Sequence, residues 1–269
     1  MITHDFPDGE LRLFGIIGDP VSQVRVPFPA TQRLRSAGAN AALVPLHVPA
    51  RVLASTFASL RHIANLDGLV VTVPHKIAMR DLMDVVTPRA ELVGAVNLAR
   101  RDPDGRWRGD IVDGVGFAHG LAASGFDPSG KEALVIGAGG VGSAIAVELG
   151  RAGAVVRIFD TAAGRASALV DRLLAAGIDA VLERRIEAGD AALVVNATPL
   201  GMLSTDPLPM DPCLLDPSVL VAEVVMKPAM TPFLRAAADR GCPVQPGEAV
   251  LLHQLDAMVD FLLGRTDVE

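Results

Sequence analysis

The sequence contains no tyrosine and a single tryptophan, and only 4% of its 269 residues are aromatic. Without a phenol, every mechanism that needs a tyrosine as acid or base is excluded. Cysteine is almost as scarce. Cys213 and Cys242 fit neither a disulfide framework nor a zinc-ligand cluster, and the six histidines show no metal-ligand spacing. No metal is expected, and a reducing, cytoplasmic location is. Long apolar runs are missing too: none reaches the roughly 18–20 residues that span a bilayer. The opening MITHDFPDGELR is too acidic and polar for a secretion signal. Lys and Arg number 24 against 31 Asp and Glu, a formal charge of −7. That balance argues against nucleic acid or an anionic membrane as a partner. A small-molecule substrate is expected instead, handled by a monomer or homodimer.

What is present is core material. Half the residues are hydrophobic and a fifth charged, enough for two domains of roughly 100–150 residues each. Apolar runs bounded by Gly, Pro or Asp read as strands at 11–18, 41–48, 66–74, 132–137, 154–160, 191–199 and 219–225. A helix is expected over 28–38, ending at Gly38, and another over 248–264, ending at Gly264. Asp104-Gly105 signals a hairpin between 97–101 and 106–111. Residues 206–212 read as a surface loop. Strands alternating with helices imply an α/β chain with parallel sheet covered on both faces.

Gly137, Gly139 and Gly142 form G-x-G-x-x-G between a strand and a helix. One glycine makes the tight turn, one lets a pyrophosphate approach the backbone, and one permits close helix–strand packing. The phosphate charge would rest on the helix N-terminus. Asp160 lies 23 residues after Gly137, where the acid that binds the adenosine ribose is expected. The pattern therefore predicts a dinucleotide site made by Gly137, Ala138, Gly139, Gly140, Val141, Gly142 and Asp160. A carboxylate at 160 accepts from a ribose 2′-hydroxyl and repels a 2′-phosphate, which favours NAD. Arg165 keeps NADP open, since it could meet a 2′-phosphate, or it is an ordinary solvated helix residue.

Several segments resemble, in order and across nearly the whole chain, the shikimate/quinate dehydrogenase family. Gly15–Pro27 is similar to its opening glycine–proline loop, and Val71-Thr72-Val73-Pro74-His75-Lys76 to its V-T-V-P-H-K. Gly94-Ala95-Val96-Asn97, Asp113-Gly114-Val115-Gly116-Phe117 and Asn196-Ala197-Thr198-Pro199-Leu200-Gly201-Met202 match three further signatures, and Gly247–Gln254 a last one. The resemblance implies an N-terminal α/β substrate domain with a mixed sheet, a Rossmann domain, and a cleft between them. The expected boundaries are 1–113 with 243–269 for the first, and 114–242 for the second.

By the same likeness Lys76 is the catalytic lysine and Asp113 its partner, while Thr72, Asn97 and Gln254 contact substrate. Asn196, Ala197 and Thr198 line the cofactor, with the backbones of Val224 and Gly247 at the nicotinamide. Chemistry gives a separate argument for the pair. Alcohol oxidation needs a group to take the hydroxyl proton as hydride leaves. An unperturbed lysine, with pKa about 10.4, is a poor base at neutral pH. A neighbouring carboxylate favours its ammonium form, so Lys76 is expected to act mainly as proton donor and carbonyl polariser, oriented by Asp113. His75 is a weaker acid/base candidate, since a neighbour along the chain points elsewhere.

The departures from the family pattern concern the substrate. Where the resemblance leads one to expect S-K-S-P, with two serines holding a substrate carboxylate, this chain has Val24-Arg25-Val26-Pro27. A V-Y-N-P segment is replaced by Val225-Met226-Lys227-Pro228. A carboxylate pressed on two valines loses its hydrogen bonds, at a cost of several kcal/mol. The expectation is hydride transfer to or from a ring or secondary hydroxyl of a small, hydroxy-acid-like molecule, with weak activity on shikimate itself. Arg25 or Lys227 could anchor an anion from another direction, though exposed basic residues are the plainer reading of both. A methylenetetrahydrofolate dehydrogenase-like enzyme would need a tyrosine beside its lysine. A non-catalytic, NAD-responsive binding protein is the alternative of a different class.

Overall fold

The computed structural model describes residues 8–265. The first seven residues, part of the acidic opening segment, lie outside that range. The chain divides into two compact units, one running up to Ile111 and resuming at Leu255, the other spanning Val112–Gln254.

The first unit carries strands β1 (Arg12–Gly18), β2 (Ala41–His47), β3 (Leu66–Val71), β4 (Val85–Val86), β5 (Leu98–Arg101) and β6 (Trp107–Asp110). Its helices are α1 (Pro27–Ser36), α2 (Leu53–Leu60), α3 (Lys76–Arg80) and α4 (Pro88–Val93). The strands form one sheet in the order β2-β1-β3-β5-β6-β4. β1 pairs parallel with β2 and β3, whereas β3–β5 and β5–β6 are antiparallel, so the sheet is mixed as expected. The hairpin turns at Gly105, whose φ of +83° suits a residue without a Cβ. Phe14, Ile16, Ile17, Leu66, Leu69 and Leu98 make its buried core.

The second unit opens with α5 (Asp113–Ala123) and continues through β7 (Glu132–Ile136), α6 (Gly140–Arg151), β8 (Val155–Phe159), α7 (Ala163–Ala175) and β9 (Ala180–Leu182). It then adds β10 (Leu193–Asn196), β11 (Leu220–Glu223), α8 (Pro232–Asp239) and β12 (Val244–Gln245). All its strand pairs are parallel, in the order β12-β11-β10-β7-β8-β9. That is the doubly wound Rossmann order, reversing between β7 and β10, and ligands of such sheets lie at the strand carboxyl ends beside the reversal.

The final helix, α9 (Glu248–Leu262), belongs to both units. The resemblance assigns 243–269 to the first domain, yet 243–254 packs with the second. β12 hydrogen-bonds to β11, and a Cβ on Gly116 of α5 would stand 2.6 Å from the Val250 carbonyl oxygen. Only from Leu255 onward does the helix join the first unit, where the Arg100 guanidinium donates to the Phe261 carbonyl. Among the described residues, no helix is long and apolar enough to cross a membrane.

Candidate active site

The candidate substrate residues of the first unit gather at the carboxyl end of β3. The strand runs out at Val71, whose N–H donates to the Asn97 carbonyl at 2.7 Å. Thr72 follows, its N–H on the Ile17 carbonyl, and a Cβ on Gly18 would lie 2.5 Å from its methyl group. Lys76 is the first residue of α3 and is only 8% exposed, with its carbonyl accepting from Val96 N–H. Asn97 is buried, and its N–H donates to the Asp110 carbonyl. Sequence segments 71–76 and 94–97, far apart in the chain, are thus knitted together by backbone hydrogen bonds.

Asp110 anchors that knot. Its fully buried carboxylate accepts from the Arg89 guanidinium at 2.7 Å, the Thr87 hydroxyl at 2.6 Å and the Ile111 amide at 2.8 Å. Breaking such a buried pair by removing one partner costs about 3–5 kcal/mol. Asp113 stands three residues further on, buried, as the first residue of α5 in the second unit.

His75 is 1% exposed and its Nε2 lies 2.7 Å from the Val48 carbonyl. A carbonyl can only accept, so this nitrogen carries the proton and is spent on the backbone. That commits one of its two ring nitrogens to the backbone.

The opening loop departs from an anion site in more than its lost serines. Val26 is the N-cap of α1 and offers no side-chain cap, and Pro27 begins the helix. Pro27 and Pro29 have no N–H, and Ala30 N–H is taken by the Val26 carbonyl. Within that first turn only Phe28 retains a donor, which leaves little of the usual anion-binding helix end. Val24 is half-buried and Arg25 exposed.

In the second unit, Gln254 is 8% exposed and its Cβ packs at Gly116 of α5. Its Oε1 is buried with no hydrogen-bond partner among the described residues. A buried acceptor left unpaired is costly, and a ligand hydroxyl would satisfy it.

The candidate cofactor residues of the second unit converge at the carboxyl ends of its strands. Gly137 follows β7 with φ of +107°, its N–H on the Phe159 carbonyl. Gly139 is the N-cap of the twelve-residue helix α6, in extended backbone, and a Cβ there would meet nothing within 4 Å. Gly142 differs: its Cβ would fall 1.9 Å from the Gly137 carbonyl oxygen. Ala197 and Thr198 lie against Gly137, Val224 N–H reaches the Asn196 carbonyl, and Gly247 abuts the Val225 carbonyl. Open space above a helix N-terminus, reached by a glycine backbone, fits a pyrophosphate.

Asp160 ends β8 with a carboxylate 5% exposed. One oxygen accepts from Ala138 N–H at 2.8 Å; the other accepts from Ala162 N–H at 2.7 Å and the Arg165 guanidinium at 2.9 Å. Burial opposes its ionisation, but these donors outweigh burial and hold its carboxyl below the ordinary range. Asp160 therefore braces the glycine turn directly, a role the motif spacing did not disclose.

Glu223 also went unread in the sequence. It is fully buried at the end of β11, opposite Asn196 on β10, and takes a hydrogen bond from the Asn196 amide at 2.9 Å. The signal available was one carboxylate inside an otherwise apolar strand.

Residues 16–99 match the family model described as the shikimate dehydrogenase substrate binding domain. Over 256 residues the chain is 40% identical to "Shikimate dehydrogenase (NADP(+))" of Rubrobacter xylanophilus, covering 92% of this chain and 89% of that one. A shikimate 5-dehydrogenase from Listeria monocytogenes, solved in complex with shikimate and NAD, is 28% identical. It superposes with a TM-score of 0.85 over 98% of this chain and 95% of its own. The ligand-free 5-ketofructose reductase of a Gluconobacter species is 27% identical, with a TM-score of 0.80 over 96% and 95%. Kinship of this extent with named dehydrogenases disfavours the non-catalytic alternative. The chain belongs to the shikimate dehydrogenase family, the NAD(P)-dependent oxidoreductases that act on a CH–OH group.

Proposed function

We propose that the chain interconverts a secondary alcohol and a ketone on a small polyhydroxylated molecule that lacks an anchored carboxylate, with shikimate itself a poor substrate. The observation that carries this reading is the opening loop: two valines stand where two serine hydroxyls would hold an anion, before a helix start with no side-chain cap. The likeness to a 5-ketofructose reductase supports it, because that protein is named for a neutral keto-sugar.

Lys76 gives the proton to the carbonyl oxygen in reduction and takes it back in oxidation, and Asp113 is its proposed catalytic partner. Thr72 and Asn97 hold neighbouring hydroxyls, and the unpaired Gln254 Oε1 accepts from one more. The cofactor rests on Gly137–Gly142 and α6, lined by Asn196, Ala197, Thr198, Val224 and Gly247. When bound, its nicotinamide supplies or accepts the hydride.

Steady-state assays with both cofactors test the substrate class. Shikimate and quinate should fall below a kcat/KM of about 10⁴ M⁻¹s⁻¹, the low end of ordinary enzymes, and neutral cyclic polyols or keto-sugars should exceed them. Shikimate turnover above that value would refute the proposal.

NAD is the proposed cofactor preference, because the Asp160 carboxylate keeps a negative charge where a 2′-phosphate would sit and occupies Arg165. Asp160→Ala removes the repulsion and releases the guanidinium. The ratio of NAD to NADP affinity should then fall by about tenfold, equivalent to about 1.4 kcal/mol. Loss of the brace on Ala138 affects both cofactors and cancels in the ratio. Equal losses for the two would show that residue 160 does not read the ribose.

A further inference from the structure

We propose that Glu223 is a positioning residue for the cofactor: its carboxyl group holds the Asn196 amide, and through it the turn at Asn196–Thr198, against the glycine turn that opens α6. The role rests on the cofactor lying on Gly137–Gly142.

The chain of contacts is continuous and lies wholly in the second unit. The Asn196 amide nitrogen donates to Glu223 Oε1 at 2.9 Å and to the Leu200 carbonyl at 3.0 Å. Its Oδ1 accepts from the Thr198 amide at 3.1 Å and the Thr198 hydroxyl at 2.6 Å. That hydroxyl in turn accepts from Leu200 N–H. Asn196 therefore uses both donors and both lone pairs, and one of those four bonds exists only because Glu223 is there. The turn it fixes is the one that touches Gly137: a Cβ on that glycine would meet Ala197 backbone and the Thr198 methyl at 3.1 Å. A shift of Thr198 is thus felt where the phosphates are expected.

An apolar residue would be the cheap choice at 223, since Leu220, Val221 and Ala222 before it are all buried. Glu223 is instead fully buried. Burial is the largest influence on its carboxyl and pushes it above the ordinary range, against hydrogen bonds with Asn196 and Thr231. Neither of those two groups is charged, so no cation beside the carboxyl offsets its burial. Protonated or ionised, the carboxyl offers Asn196 an acceptor oxygen. Retaining a costly carboxyl at this position is explained by the acceptor it provides.

Glutamine keeps the acceptor oxygen; methionine keeps only the shape. Binding of NADH and NADPH to the purified chain, followed by fluorescence titration, separates the two. Glu223→Gln should bind within about twofold of the parent. Glu223→Met should bind about tenfold more weakly, because it leaves a buried amide donor unpaired and the turn unlatched. Its kcat at saturating cofactor should hold, with the loss confined to the cofactor KM. Adding Asn196→Ala to Glu223→Met should cost no more than Asn196→Ala alone, since both act through one latch. Where Glu223→Met does not fold, Glu223→Leu takes its place.

Parent-like binding by the apolar variant would overturn the proposal, as would equal losses in Gln and Met, or losses that add in the double variant. Gly139→Asp serves as the control for the site itself. If it binds like the parent, the glycine turn does not hold the cofactor and the role of Glu223 falls with it. If it fails to bind while the apolar Glu223 variant binds normally, only the role of Glu223 is lost.

Discussion

Replacing Lys76 with alanine is expected to lower kcat on the preferred substrate by about 10²–10⁴-fold, the range over which a positioned proton donor contributes. Cofactor affinity should stay within about twofold. The separation follows from where the residues sit: Lys76 begins α3 in the first unit, and the glycine turn lies in the second. Lys76→Arg should not restore turnover. A guanidinium keeps its positive charge and could still polarise a carbonyl, but it does not release a proton at any accessible pH. Asp113→Asn should cost less, about ten- to a hundredfold, because the proton donor itself is kept and only a carboxylate's charge is lost. Single-turnover reduction with purified protein, beside a cofactor titration, reads both quantities. A Lys76→Ala variant that keeps its kcat would remove the lysine from the proton path, and a loss confined to cofactor binding would move it to the wrong site.

Much of the fold and the candidate residues of the site could be read before any coordinates, and what could not has a physical explanation. The strands of both sheets announced themselves through β-branched and leucine runs closed by Gly, Pro or Asp, and the Asp104-Gly105 turn marked its hairpin. Short edge pieces such as β4, two residues long, carry no pattern to find. Motif spacing pointed to Gly137–Gly142 and the family resemblance to Asn196–Thr198, but neither could show that Asp160 spends its carboxylate on Ala138 and Ala162. Side-chain satisfaction is a property of three-dimensional neighbours, invisible along a chain. The same holds for Glu223, which read as part of an apolar strand, and for the unpaired Oε1 of Gln254. The split of α9 between units was hidden for another reason. Its apolar residues recur at helical spacing throughout, and only the close approach of Val250 to Gly116 reveals which turn packs where.

Two glycines three residues apart should fail in opposite ways. At Gly139 the backbone is extended, with φ of −75°, and a Cβ would enter empty space. Aspartate there is a favoured N-cap whose charge suits the positive end of α6. Gly139→Asp should therefore melt at the parent's temperature or above it. Its carboxylate would nonetheless stand where the pyrophosphate needs bare backbone, adding bulk and like charge. Cofactor affinity should drop by about a hundredfold or more, as expected when charge-assisted hydrogen bonds of about 1.5–3 kcal/mol each are lost. At Gly142 the added carbon would sit 1.9 Å from the Gly137 carbonyl oxygen, a backbone atom with no rotamer to retreat into. Gly142→Ala should cost about 3 kcal/mol by overpacking, a fall in Tm of roughly 6–12 °C for a chain of this size. Calorimetry and cofactor titration on the same two proteins would distinguish a glycine kept for a ligand from one kept for the fold. A stable, cofactor-binding Gly139→Asp would mean that the space above α6 is not where the phosphates lie.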